Sequence, residues 1–196
     1  MKNIVVGIDE VGRGPIAGPV TLCAVALHKK IPTKISKTFK DSKKLSAKQR
    51  EGWFDLINAL SEEGVLSYRV ASVSAQVIDS KGISFAIRQA IRRTLKGIHA
   101  EPSTHRVKLD GGLRAPEEFV YQETIIKGDE KEVAIALASI VAKVTRDRYM
   151  IKQAKQYSVY GFEQHKGYGT RAHYQVLRKH GICSLHRVSF LKNITT

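Results

Sequence analysis

"GIDEVGRGPIAGPV", residues 7–20, sets two acids side by side at the end of an apolar run and follows them at once with a Gly-Arg-Gly turn and further Gly/Pro corners. Ile4–Ile8, "IVVGI", reads as a buried strand with a glycine inside it, and Thr21–Leu27 reads as the next strand after the turn. Asp9 and Glu10 therefore stand where a buried strand ends, an unusual place for two adjacent charges.

The same pattern recurs further along the chain. "RVKLDGG" reads as a short strand ending in Asp110, and "TIIKGD" as another ending in Asp129. A helix is predicted to begin at Ser46, which has capping-box spacing with Gln49, and Trp53, Phe54, Ile57 and Leu60 repeat at helical intervals. "VLSYRVASVS" is strand-like, and Ile83, Ile87, Ala90, Ile91, Leu95 and Ile98 mark an amphipathic helix. A long helix is expected from about 132 to 157, with Val133, Leu137, Ile140, Val141 and Val144 on its buried face, and a further one over Arg171–Lys179 with a stop at Gly181. Strands first, then alternating helices and strands, then helices predict an α/β layer architecture around a mixed sheet. In open sheets of this kind, sites gather beyond the ends of central strands. The 196 residues read as one domain, with a basic, helical C-terminal part over about 158–196.

Charge points to the partner. Lys and Arg number 33 against 18 Asp and Glu, a net charge of +15, which favours a polyanion, most often nucleic acid. The excess gathers at two places: nine Lys/Arg and one acid from Lys29 to Arg50, and eight with one acid from Lys152 to the end. No apolar run approaches a membrane span, and the start lacks the pattern of a signal peptide, so a cytoplasmic protein is expected. Cys23 sits in the apolar run "VTLCAVAL" and reads as a small buried hydrophobe; Cys23 and Cys183 are not expected to pair.

Carboxylates held close repel unless they share a proton or a hard cation neutralises them. In a basic protein, metal ions at such a cluster would turn it from repelling phosphate to gripping it. Two such ions can activate a water and stabilise the leaving oxygen of a phosphodiester. Each acid also has a plainer reading: Asp110 before Gly111–Gly112 as a turn former, Asp129 as a helix cap.

Together the motifs resemble a known family. "DEVGRGPIAGPV", "DSKKLS" (residues 41–46), "LDGG", "KGD", "ASIVAKVTRDR" and "YGFEQHKGYGT" are similar, in this order and over about residues 5–190, to bacterial ribonuclease HII. The resemblance implies a ribonuclease H-like α/β fold with a helical C-terminal part. It implies an endonuclease that uses Mn2+ or Mg2+ and acts on RNA–DNA hybrids and on duplex DNA containing ribonucleotides. Cleavage would fall on the 5′ side of an embedded ribonucleotide and leave 5′-phosphate and 3′-hydroxyl ends. It also implies a monomer. Carried over residue by residue, Asp9, Glu10, Asp110 and Asp129 would bind metal, and Gly12, Arg13, Gly14 and Tyr168 would read the ribonucleotide. Two positions depart from the usual pattern: Gly112 where Asn is common, and Leu137 within a run of small residues. Neither touches an expected ligand. The related HIII type usually carries Lys in place of Arg13 and an extra N-terminal domain, so the HII type is expected.

These residue types suit that chemistry. RNA differs from DNA by one hydroxyl, which a discriminating protein must meet with a donor or acceptor. Gly12 and Gly14 would let the backbone approach a sugar, Arg13 could reach a phosphate, Tyr168 offers a ring and a hydroxyl, and Lys166 just before it is a further candidate substrate contact. The plainer readings are a tight structural turn for "GRGPIAGP" and a packing role for Tyr168. Ser42, Lys43 and Lys44, with Lys143 and Arg146 on the long helix, are candidate phosphate contacts, which position a duplex without reading sequence. Asp147 is expected to pair with neighbouring arginines. His165, His173, His180 and His186, with Cys183, lack a paired Cys-x-x-Cys arm and are read as stacking, packing or phosphate-contact residues rather than a zinc site. A non-catalytic nucleic-acid-binding module is the competing class; four intact acids argue against it, because binding alone has no use for them.

Overall fold

The computed structural model describes residues 4–32, 35 and 45–191. Strand β1 (Ile4–Val11) lies at the centre of a five-stranded sheet, flanked by β2 (Val20–Leu27) antiparallel and by β4 (His105–Asp110) parallel. Strand β3 (Leu66–Val73) extends the β2 side, and β5 (Gln122–Ile125) extends the β4 side in parallel, giving the order β3-β2-β1-β4-β5.

Helices cover both faces. Helix α1 (Ala47–Glu62) begins at Ser46, whose hydroxyl accepts from the Gln49 N–H while the Gln49 side chain accepts from the Ser46 N–H, so the predicted capping box is formed. Helices α2 (Ala75–Lys81) and α3 (Ile83–Gly97) follow, separated by Gly82. The predicted pattern found α3 but passed over α2, a two-turn element too short to show a periodicity.

Alternation along β1 sorts the core into two layers. Val6 and Ile8 join Leu22, Ile87, Ile91 and Leu109 on the α3 face. On the other face Cys23, Val25, Ile57 and Leu60 pack with helix α5 (Val133–Gln156). Gly7 is the glycine inside the strand, and the reason is contact: a Cβ there would stand 2.1 Å from the Ala134 carbonyl carbon of α5. The first half of α5 is buried nearly all round, Ala134–Ala138 included, where a single buried stripe was expected. It is wedged between the sheet, α1 and the short helix α4 (Gly128–Lys131), so no side of it meets water.

One predicted strand end is corrected. "TIIKGD" does not run as a strand to Asp129. Strand β5 stops at Ile125, Lys127 adopts a left-handed backbone (φ 54°), and Asp129 lies in α4. The C-terminal part, with α6 (Phe162–His165) and α7 (Arg171–His180), forms a third apolar cluster with Ile16, Met150, Tyr160, Phe162 and Leu177. This cluster docks the end of the chain against the turn that follows β1.

Candidate active site

Parallel pairing brings the acids together. The last paired residues of β1 and β4 are Ile8 and Leu109, so Asp9 and Asp110 follow side by side on neighbouring strands. Ile8 and Leu109 both face the α3 layer. By the two-residue period, Asp9 and Asp110 face α5, where Ser139 hydrogen-bonds Asp9. Glu10 is next along β1, its side chain 3.7 Å from the Arg13 guanidinium. Asp9 is 5% exposed, and burial first, then the charges of Asp110 and Glu10, push its carboxyl up to about 7. Burial likewise raises Glu10 to about 7, with Arg13 opposing and Asp110 adding to the rise. Three carboxyls therefore feel one another at the mouth of the sheet.

Asp129 is placed differently. It is buried on α4 and does not line the cleft formed by the other three. Its neighbour Gly128 donates its N–H to Asp110 Oδ1 at 2.6 Å, which ties α4 to the end of β4. No three His, Cys, Asp or Glu side chains among the described residues form a ready-made metal cage. The donor set still suits Mg2+ or Mn2+, which take oxygen ligands, keep several waters and complete their shell with substrate phosphate. Asp9, Glu10 and Asp110 are oxygen donors of that kind lining one cleft.

The cleft above these acids is about 440 Å³ and is lined also by Gly12–Gly14, Arg50, Ser139, Lys143 and Tyr168. Tyr168 is 44% exposed, its ring 5.8 Å from the Arg146 guanidinium. Gly12 has φ +89°, and a Cβ on it would stand 2.2 Å from Arg146 Nε. The protein's own packing thus requires Gly12, a reason the sequence did not show. Around Gly14, by contrast, a Cβ would meet nothing within 4 Å, so open space for a ligand remains there.

Two of the expected substrate contacts, Arg146 and Lys166, are placed elsewhere. Arg146 is fully buried and donates to the carbonyls of Pro19 (3.0 Å), Lys166 (2.9 Å) and Ala17 (3.1 Å). It staples the "GRGPIAGP" turn to the "HKGYGT" loop and cannot reach a phosphate. Lys166 turns its ammonium to the Glu163 carbonyl and does not line the cleft. Lys143 does line the cleft, but its ammonium lies 2.9 Å from Asp147, the acid expected to pair with arginines. The i,i+4 spacing on one helix face makes that pair the shorter reach. Ser42, Lys43 and Lys44 lie outside the described residues.

Arg187 was missed. It is fully buried and donates to the carbonyls of Gly12 (2.6 Å), Arg13 (2.9 Å) and Gly18 (2.9 Å). Burial, with the like charge of Arg146, lowers its pKa to about 10. A signal for it existed in principle: a glycine-rich turn outside the sheet leaves carbonyls that need donors. Nothing local says which residue supplies them. Arg50 and Ser139 were missed as cleft residues for the same reason.

His173 and His186 form a hydrogen-bonded chain with a fixed proton order. The Cys183 N–H donates to His186 Nδ1 (2.9 Å), so His186 carries its proton on Nε2. That proton faces His173 Nε2 at 3.0 Å, and His173 Nδ1–H in turn donates to the Tyr168 carbonyl at 2.9 Å. A proton added to His173 would set two N–H groups face to face. Burial first, and then the neighbouring His165 and His186, hold His173 down at about 4; burial also lowers His186. The folded value lies below the ordinary 6.5, so this contribution to stability is complete above about pH 6.5 and is lost as pH falls toward 4. The urea midpoint should fall across that window, and His173→Gln should remove part of the fall. Identical pH profiles for parent and variant would exclude this role for His173.

Among the described residues no helix is long and apolar enough to cross a membrane. A family model for ribonuclease HII matches residues 6–193. The ribonuclease HII of Caldicellulosiruptor bescii is 44% identical over 192 residues, covering 98% of this chain and 88% of that protein. The ribonuclease HII of Endomicrobium trichonymphae is 45% identical over 188 residues, covering 95% and 84%. Among solved structures, the ribonuclease H2 of Pyrococcus horikoshii superposes with a TM-score of 0.75 at 24% identity, covering 97% of this chain and 96% of that one. Bst-RNase HIII, solved in complex with Mn2+, superposes with a TM-score of 0.68 at 17% identity, covering 97% and 68%. A mixed sheet carrying acids at the ends of adjacent parallel strands, matched over nearly its whole length by these relatives, places the chain in the ribonuclease HII family, as a ribonuclease H by activity and fold.

Proposed function

We propose that this chain is a metal-dependent endonuclease that hydrolyses the RNA strand of RNA–DNA hybrids and nicks duplex DNA on the 5′ side of an embedded ribonucleotide. The observation that carries this reading is the convergence of Asp9, Glu10 and Asp110 in one cleft with Gly12–Gly14 and Tyr168. Asp9, Glu10 and Asp110 would hold Mn2+ or Mg2+, with Asp129 joining through α4. When bound, such ions supply charge neutralisation of the phosphate and activation of water. In the hydrolysis, water adds to phosphorus and the bond to the 3′ oxygen breaks, so a 3′-hydroxyl and a 5′-phosphate result. The protein acts in the cytoplasm, where such duplexes arise in a bacterial cell.

Recognition is the work of the protein's own groups. The Gly12–Gly14 backbone, held by Arg187, offers the sugar a rigid edge, and open space at Gly14 lets it come close. Arg13 is exposed and can take the adjoining phosphate with its fork of donors. Tyr168 gives a ring to stack on the sugar or base and a hydroxyl for the 2′-OH.

A labelled DNA duplex containing one ribonucleotide, incubated with Mn2+, with Mg2+ and with chelator, tests the reading. Nicking 5′ to the ribonucleotide with either metal and none with chelator is expected; nicking in chelator, or none with metal, rejects it. Tyr168→Phe should weaken cleavage of that substrate by about 1 kcal/mol, the worth of one hydrogen bond. Tyr168→Ala should add roughly 1–3 kcal/mol for lost stacking, with a smaller deficit on long hybrids. An Ala variant equal to the parent on both substrates would make Tyr168 a packing residue.

A further inference from the structure

A second groove, about 530 Å³, lies beside the acid cleft. Arg13 lines both, so the two adjoin at that residue. The floor of the groove is apolar, with buried Ile87 and Ile91 of α3 and Leu113 of the loop after β4. Its walls carry Arg88 and Arg92 of α3 and Arg114 of the loop, all exposed. None of these three has a part in the site described above.

We propose that this arginine groove continues the substrate track and holds the sugar–phosphate backbone of the duplex beyond the reacting nucleotide. The inference rests on the nuclease reading of the preceding subsection. Three features support a nucleic-acid backbone as occupant. The groove adjoins the acid cleft at Arg13, so a strand held at the acids can run on along it. Arg88 and Arg92 are one helical turn apart, about 6 Å along the axis at roughly 1.5 Å per residue. A strand advances about 3.4 Å per nucleotide, so the two guanidinium groups can serve phosphates one or two steps apart. The apolar floor suits the carbon face of a sugar, while the arginines on the rim suit its phosphates.

Glu117 and Glu118 also stand at the groove. Glu118 lies 3.8 Å from Arg92, with both side chains more than half exposed. An exposed pair of this kind is weak, and a phosphate can displace the carboxylate. Glu118 therefore opposes binding and gives the test a second sign.

The experiment measures binding of a fluorescent duplex with one central ribonucleotide, in chelator so that no cleavage occurs, over a salt series. Arg88→Ala/Arg92→Ala and Arg114→Ala are compared with Arg93→Ala, which removes an exposed arginine of α3 that does not line the groove. The double variant should bind about tenfold more weakly and flatten the log–log salt slope by about one unit per lost phosphate contact. Arg93→Ala should match the parent, and Glu118→Gln should bind more tightly. Shortening the duplex arm on one side of the ribonucleotide, and not on the other, should erase the difference between parent and double variant. Folded groove variants that bind with the parent's affinity and slope overturn the proposal. So does a loss equal to that of Arg93→Ala, or a loss seen with poly-glutamate and not with the duplex. Failure of the parent to nick the same duplex with metal would instead reject the nuclease reading, so the two failures are told apart.

Discussion

Asp110→Asn should fold as the parent does and cleave about a thousandfold more slowly or worse, a barrier increase on the order of 4 kcal/mol. The structure explains both halves of that result. Asp110 Oδ1 accepts the Gly128 N–H, and an asparagine oxygen at the same place can go on accepting it, so the link between β4 and α4 survives. What disappears is one negative charge beside Asp9 and Glu10. That charge raises the carboxyls of both neighbours, so its loss relieves repulsion in the metal-free protein. The metal-free variant should therefore be at least as stable as the parent in urea, and the Asp9 and Glu10 carboxyls should titrate lower by carbon-detected NMR. Duplex binding in chelator should tighten, since a charge near the scissile phosphate is gone. Unchanged cleavage at limiting metal by the folded variant would remove Asp110 from the site.

Arg187→Met should cost the fold on the order of 3 kcal/mol or more, the largest stability loss expected from a residue outside the apolar core. Methionine keeps much of the volume and removes all the donors. The carbonyls of Gly12, Arg13 and Gly18 would then lose the donors they now share with Arg187. Each buried group left unsatisfied costs about 1–3 kcal/mol. Relief of the like charge of Arg146 offsets a part of this. Arg187→Lys should recover only a fraction, because one ammonium cannot reproduce a planar fork over three carbonyls. The functional consequence follows from which carbonyls are involved. Two of the three belong to Gly12 and Arg13, so the turn proposed to meet the ribonucleotide should loosen. Cleavage of single-ribonucleotide duplexes should fall about tenfold or more, and more than cleavage of long hybrids. Urea unfolding and the ratio of the two cleavage rates are the measurements. A Met variant as stable as the parent, or one that loses both substrates equally, would show that Arg187 does not position the turn.

The sequence by itself determined the framework on which these residues act. Continuous apolar runs define β1 and β2, which are buried on both faces, and period-two alternation defines β4; both patterns are local. The capping box at Ser46 and Gln49 is likewise complete within four residues. Asp9, Glu10 and Asp110 were legible as a cluster because they end strands that a parallel sheet sets side by side. Asp129 was legible as an acid of interest but not as a helical residue, since the left-handed turn at Lys127 that ends the strand is not encoded by a glycine.

Only the tertiary structure decided the roles of the arginines and histidines. In a basic chain, Arg146 reads as one more hand for phosphate, and Arg187 is not noticed. Arg187, and Arg146 through two of its three bonds, reach carbonyls more than a hundred residues away in sequence. His173 and His186 become a proton-ordered link to Tyr168 only because α7 and the C-terminal turn meet in space. The physical reason is the same in each case. Strand burial and helix capping are satisfied by neighbours a few residues away, so their pattern is written locally. A turn that leaves the sheet exposes backbone carbonyls that only distant side chains can reach, and which of many identical arginines does so is fixed by how the layers pack.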